Sequence, residues 1–245
     1  MFINSLARGM EILRAYQDKP GPLSNKELVE FTGLSKGTVS RLTYTLTRLG
    51  YLVQSGTKYD LSPQILTLGY PYLVSQRVRS VGYPYLAEIA EQGVYSLALA
   101  VPTKHKMVYI LEAESQKLNA LRLEVGVTVE MVKTALGHAY LGGLKEKELQ
   151  RVSSQILHIY GDEWSELKKR VEKSRKEVQK QGFCFVEREW RADMRSVAAP
   201  LYDSSGKVAA ALSCTGPAFA VSREVLRNDI GPRLTWIAEQ LSSYL

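Results

Sequence analysis

Apolar positions recur at helical spacing three times in the first fifty residues, and then give way to strand-like alternation. Leu6, Met10 and Leu13 mark a helix over residues 5–16, which the Asp18-Lys19-Pro20-Gly21-Pro22 turn ends. Ser24 with Glu27 three residues on has the spacing of a capping box, and Leu28, Val29 and Phe31 follow it as the start of a second helix. Gly33 stops that helix. Ser35 offers the next N-cap, and Val39, Leu42, Leu46 and Leu49 carry a third helix to Gly50. Residues 51–54 and 59–61 then flank Ser55-Gly56-Thr57-Lys58 as a small hairpin.

Residues 63–92 read as a helical connector interrupted at Pro71 and Pro84, because proline ends or starts a helical piece at its predecessor. Beyond it the pattern mixes types. Strands are expected at 95–101, 107–112, 118–124, 183–186, 197–202 and 208–215, with helices at 134–142, 145–157, 163–180 and 223–244. Hairpins with segregated helices indicate an α+β fold with a mainly antiparallel sheet. The expected division is a head at 1–62, a connector at 63–92 and a second domain at 93–245.

Composition narrows this further. A 245-residue chain with 45% hydrophobic and 23% charged residues is neither disordered nor low in complexity, and its apolar runs are too short for a membrane span. The N-terminal stretch carries Arg8 and Glu11 among its apolar positions and lacks the apolar core of a signal peptide, so a cytoplasmic location is expected. Two cysteines, Cys184 and Cys214, exclude a disulfide scaffold and are expected to be reduced. The net charge of +7 suggests a polyanionic partner, and its placement sharpens that reading. No acidic residue lies between Glu30 and Asp60, or between Asp60 and Glu88, whereas Lys36, Arg41, Arg48, Lys58, Arg77 and Arg79 do. The lysine-rich stretch at 167–180 is different: Glu166 precedes Arg170 by four residues and Glu172 precedes Lys176, as on a solvated helix face.

Steps of about 100° per residue put Gly37, Ser40, Arg41, Tyr44 and Arg48 on the face of the third helix opposite its apolar stripe. That face carries cations, hydroxyls and no carboxylate, which is what a helix entering a DNA major groove requires. Helix, capped helix, glycine turn, helix and basic hairpin is the order of a winged helix-turn-helix. Its candidate DNA contacts are Ser24, Ser35, Lys36, Gly37, Thr38, Ser40, Arg41, Tyr44, Arg48 and Lys58. The pattern alone also fits a three-helix docking or oligomerisation module with a basic surface. Enzyme signatures are sparse: GxxxxGK[ST], GxGxxG and HExxH do not occur, and His105, His138 and His158 lack partners at metal-ligand spacing. Cys184 or Cys214 with His138 is the one nucleophile and base combination to weigh, against the ordinary role of a strand cysteine as a small buried apolar residue. No catalytic residue, metal or cofactor is expected.

Several segments carry a family resemblance. Residues 5–13 (SLARGMEIL), 23–28 (LSNKEL), 32–42 (TGLSKGTVSRL) and 49–52 (LGYL) resemble the N-terminal domain of IclR-family transcriptional regulators. Residues 134–139 (TALGHA), 181–183 (QGF), 195–200 (RSVAAP) and 206–217 (GKVAAALSCTGP) resemble, in order, motifs of that family's effector-binding domain. The resemblance implies a winged helix-turn-helix joined by a linker helix to a GAF-like domain, binding to a double-stranded DNA operator, and homodimers or tetramers. It also implies a pocket for a small organic effector, a carboxylate or an aromatic. The backbone N–H groups of Ala135 and Leu136 would hold an anion, Ser196, Ser213 and Thr215 would supply hydroxyls, and Val129, Met131 and Met194 an apolar wall. The chain departs from the family at Val186, where members binding small acids carry Asp, and at His138, where Lys is usual. A ligand-binding or hydrolase-like domain fused to a helix-turn-helix head is the alternative from another class, and a binding module without DNA is the third.

Overall fold

The computed structural model describes residues 1–116 and 124–245. It divides into two contiguous units, Met1–Ser75 and Gln76–Leu245. The first contains α1 (Asn4–Asp18), β1 (Leu23–Ser24), α2 (Asn25–Thr32), α3 (Lys36–Arg48), β2 (Leu52–Ser55), β3 (Lys58–Leu61) and α4 (Leu66–Ser75). Ile12, Ala15 and Tyr16 of α1 meet Leu28, Val39 and Leu46 from the next two helices, with Leu23 and Leu52 closing the core. The helix ends follow their caps. Ser24 Oγ accepts from the Glu27 N–H while Glu27 accepts from the Ser24 N–H, Ser35 Oγ accepts from the Thr38 N–H, and Gly33 ends α2 in the left-handed conformation at φ 66°.

In the second unit α5 (Arg77–Glu91) leads into β4 (Ser96–Thr103) and β5 (Lys106–Glu114), and β6 (Thr128–Glu130) precedes α6 (Ala135–Gly143). Then come α7 (Glu146–Tyr160), α8 (Trp164–Gln181), β7 (Cys184–Glu187), β8 (Met194–Tyr202), β9 (Val208–Pro217), α9 (Arg223–Val225) and α10 (Gly231–Leu241). Among the described residues the strands form one antiparallel sheet in the order β6-β5-β4-β9-β8-β7. Helices α5 and α10 cover one face, α6 covers the other, and α8 packs behind α6. The architecture is α+β, with an N-terminal helix-turn-helix carrying a hairpin wing.

Several expectations need correction. Pro71 and Pro84 lie inside α4 and α5, and the helical break falls at Gln76 instead. Proline removes one ladder bond and costs about 3 kcal/mol in a helix interior, but α5 buries Val78, Gly82, Leu86, Ile89 and Ala90, which offsets it. Nothing comparable is buried along α4. The single terminal helix expected at 223–244 is broken by a π segment at Leu226–Ile230. Strands β1 and β6 go beyond the sequence pattern, since two or three residues are too few to display alternation. The strand expected at 118–124 lies outside the described residues, apart from Glu124.

Candidate functional site

In the first unit, burial of Val39, Thr43 and Leu46 turns the opposite side of α3 outward. Lys36, Gly37, Arg41, Tyr44 and Arg48 are exposed, Tyr44 at 65%, and Thr38 and Ser40 are half-buried. Asn25 Nδ2 donates to Ser40 Oγ at 3.3 Å, fixing the start of α2 against α3. Ser24 and Ser35 spend their hydroxyls on capping: Ser24 Oγ donates to Glu27 Oε2 at 2.8 Å, and Ser35 Oγ lies 3.0 Å from Thr38 Oγ1. The Lys19 ammonium, then the two Ser24 donors, hold the Glu27 carboxyl down at about 2, so the cap stays ionised. Lys58 is exposed at the wing turn, where Gly56 at φ 60° makes the reversal, and β3 pairs Lys58 with Ser24. The start of α2 and the wing cation are thereby neighbours. Tyr16 anchors the wing by donating its hydroxyl to the Tyr59 carbonyl at 2.9 Å.

In the second unit the sheet register assembles the other candidates. Residues of one cross-strand row share a face. One row runs Glu114, Ser96, Thr215, Ser196, Val186, and the next runs Glu112, Ala98, Ser213, Ala198, Cys184. Ala98, Ala198, Cys184 and Val186 pack in one core cluster with Val129, Met131, Ala135, Leu136 and Met194, so both rows lie on the α6 side. Ser196 Oγ and Thr215 Oγ1 are 2.8 Å apart. The eight expected effector residues therefore converge on one face. Helix α6 starts above it: Thr134 Oγ1 accepts from the Gly137 N–H at 3.3 Å and donates to the Glu130 carbonyl at 2.9 Å. The Ala135 and Leu136 N–H groups, in the first turn, have no partner in the helix's own ladder.

His138 is committed elsewhere. It is fully buried, with Nε2 donating to the Val132 carbonyl and Nδ1 accepting from the Ser174 hydroxyl, both at 2.9 Å. Burial pulls its pKa down to about 4, so the ring is neutral. Glu189 Oε2, 3.6 Å from Nε2, forms no ion pair with it, and burial raises that carboxyl in turn. Cys184 and Cys214 are fully buried and desolvation pushes both thiols upward, the opposite of an activated nucleophile. Cys184 donates to the Ala135 carbonyl across 3.8 Å.

The register also brings in residues that the sequence pattern does not single out: Tyr109, Glu112 and Glu114. Leu99 pairs with Leu111 but Ala100 pairs with Tyr109, so Ile110 is an extra residue in β5. The bulge puts Tyr109 on the same face as Glu112, three residues away, which a strict period of two cannot show. Two glutamates two residues apart in an apolar strand are the available signal.

Comparison with known proteins identifies the family of both units. The model of the IclR helix-turn-helix domain matches residues 5–56, and that of the bacterial transcriptional regulator IclR C-terminal domain matches residues 70–243. The chain belongs to the IclR family. This IclR-family protein is a transcriptional regulator with a DNA-binding helix-turn-helix and a C-terminal effector-binding domain. It is 28% identical to the Pca regulon regulatory protein of Pseudomonas putida over 100% of its own length and 84% of the relative's. An IclR-family transcriptional regulator from Brucella abortus superposes with a TM-score of 0.88 at 34% identity, covering 100% of this chain and 93% of the other. The fold is shared with an IclR homolog from Microbacterium hydrocarbonoxydans complexed with 4-hydroxybenzoate, at a TM-score of 0.78, 16% identity and 98% coverage of both chains. Among the described residues no helix is long and apolar enough to cross a membrane.

Proposed function

We propose that α3 enters the major groove of an operator, with Arg41 and Tyr44 at its centre reading base edges. Lys36 and Arg48 then reach phosphates at its two ends, and Lys58 does so from the wing. The observation that carries this reading is the exposed, carboxylate-free face of α3. Thr38, Ser40 and the small Gly37 let the helix backbone come close, and Ser24 and Ser35 act through the helix starts that they cap. The exposed apolar residues Leu66, Leu68, Tyr70, Tyr72 and Val74 of α4 support a homodimer, whose two heads would meet a two-fold operator, with tetramers as a pairing of dimers. Operator binding places the protein in the cytoplasm, and its role is regulatory rather than enzymatic.

The second unit binds a small organic acid on the α6 face of its sheet, the carboxylate at the Ala135 and Leu136 N–H groups. Ser196, Ser213 and Thr215 hold its polar groups, and Val129, Met131 and Met194 line the apolar side. The 4-hydroxybenzoate in the Microbacterium homolog is a ligand of that class. Effector binding changes operator affinity only if the two DNA-binding states take the effector unequally, by about 1 to 3 kcal/mol in typical systems. The test is a gel shift on the promoter regions flanking the gene. Arg41→Ala should weaken specific binding by about tenfold or more, as expected when a base-edge hydrogen bond worth about 1 to 3 kcal/mol is removed. Retention of wild-type affinity would remove α3 as the reading helix.

A further inference from the structure

The start of α2 meets α3 through a side-chain bond in which Asn25 Nδ2 donates to Ser40 Oγ at 3.3 Å. Asn25 is the first residue of α2, and the capping bonds between Ser24 and Glu27 hold that end of the helix in place. The other end of its amide fares differently. Asn25 Oδ1 is buried and has no hydrogen-bond partner among the described residues. A buried acceptor left unpaired is rare and costly, so the amide keeps its donor end on Ser40 although its acceptor end goes unsatisfied.

Ser40 also differs from two hydroxyls further along its helix. Thr43 and Thr45 turn theirs inward, donating to the Val39 and Arg41 carbonyls at 3.0 and 2.8 Å. Ser40 Oγ instead receives a bond, from Asn25, and its own hydrogen is left for what lies outside the helix. A hydroxyl can donate or accept, so a serine with no such neighbour tolerates most bases in a major groove. The edges it would meet are not alike: guanine presents N7 and O6 acceptors and thymine O4, whereas cytosine presents an N4 amino donor. A neighbour that takes up a lone pair of the hydroxyl tilts the contact toward donation.

We propose that Asn25, on α2 rather than on the reading helix, sets the hydrogen-bond polarity of Ser40, so that Ser40 donates to guanine or thymine and refuses cytosine at one operator position. Asn25 is then a positioning residue that acts through Ser40. This deepens the assignment of α3 as the reading helix and rests on it.

Selection of bound sequences from a pool of random duplexes by the full-length protein tests it, with Asn25→Asp, Ser40→Ala, the two combined, and Arg41→Ala. Asp has the shape of Asn but only accepts, so it would take the Ser40 hydrogen inward and leave lone pairs facing the groove. Asp in the first turn suits the helix dipole and alanine suits a helix interior, so both variants should fold. Wild type should disfavour cytosine at one position. Ser40→Ala should relax that position by roughly threefold to tenfold, the worth of one neutral hydrogen bond. Asn25→Asp should move it toward cytosine or adenine while the other positions keep their preference, and in the Ser40→Ala background it should leave that position unmoved. The added negative charge lowers affinity for every sequence alike, so preference is the readout that a merely structural role would not shift. Preferences unchanged by Ser40→Ala, or an Asn25→Asp variant that loses affinity without shifting that position, would overturn the proposal and leave α3 as the reading helix. Preferences that Arg41→Ala also leaves unmoved would overturn both.

Discussion

At the scale of single residues, His138 and Gly137 show how tightly the start of α6 is specified. Neutral His138 ties α6 to the Val132 carbonyl on one side and to Ser174 of α8 on the other. Its folded pKa of about 4 lies below the usual 6.5, so the unfolded chain binds the proton first. The stability it contributes is complete above about pH 6.5 and is lost as pH falls toward 4, up to about 3 kcal/mol in all. Urea titrations across that range should show a steeper fall for wild type than for His138→Gln; equal slopes would mean that the ring is not held neutral. The buried Glu189, whose carboxyl is raised, works in the opposite sense, which is why the comparison of variants matters more than the raw curve. Gly137 is constrained sterically: a Cβ there would sit 1.8 Å from the Met131 carbonyl oxygen. Gly137→Ala should cost about 3 kcal/mol or more and lower the melting temperature, because the obstacle is backbone and cannot rotate away. Caps are legible in the sequence at this scale, since Ser24, Glu27, Ser35 and Gly33 each act within four residues. The gathering of Tyr109 and Glu112 on one face is not, because it depends on a bulge and on strand pairing between residues distant in sequence.

At the scale of elements, the α3 face and the wing are readable because both are local patterns: apolar spacing, a basic stretch without acids, and a glycine turn. Pairing of Ser24 with Lys58 through β3 is not, and it sets the wing cation beside the start of α2. That proximity offers a phosphate two elements to bind at one place. Operator affinity should therefore fall steeply with salt. Lys58→Gln and Arg48→Gln should each make the log–log slope shallower by about one unit for every phosphate left without its cation, with little change in sequence preference. A variant that changes preference but not slope would assign that residue to base reading instead. The helices around Pro71 and Pro84 depart from the sequence expectation for a general reason: proline's local cost is visible in sequence, but the burial that offsets it in α5 is not.

At the scale of the whole molecule, the two units have separate cores, one around Ile12, Leu28 and Val39 and the other around the sheet and α6. Differential scanning calorimetry should therefore resolve two unfolding transitions, and an effector should raise only the one belonging to the second unit. A single transition shifted as a whole would mean that the cores unfold together. The broad class is legible from length and charge, and part of the basic excess on α8 is paired, Lys169 and Arg170 with Glu166 at 3.4 and 3.8 Å and Arg175 with Glu146 at 2.8 Å. The chain passes between the two units once, from Ser75 to Gln76. A gene with one such crossing can be rewired by a single recombination event, which hands an old promoter address to a new metabolite without redesigning either half.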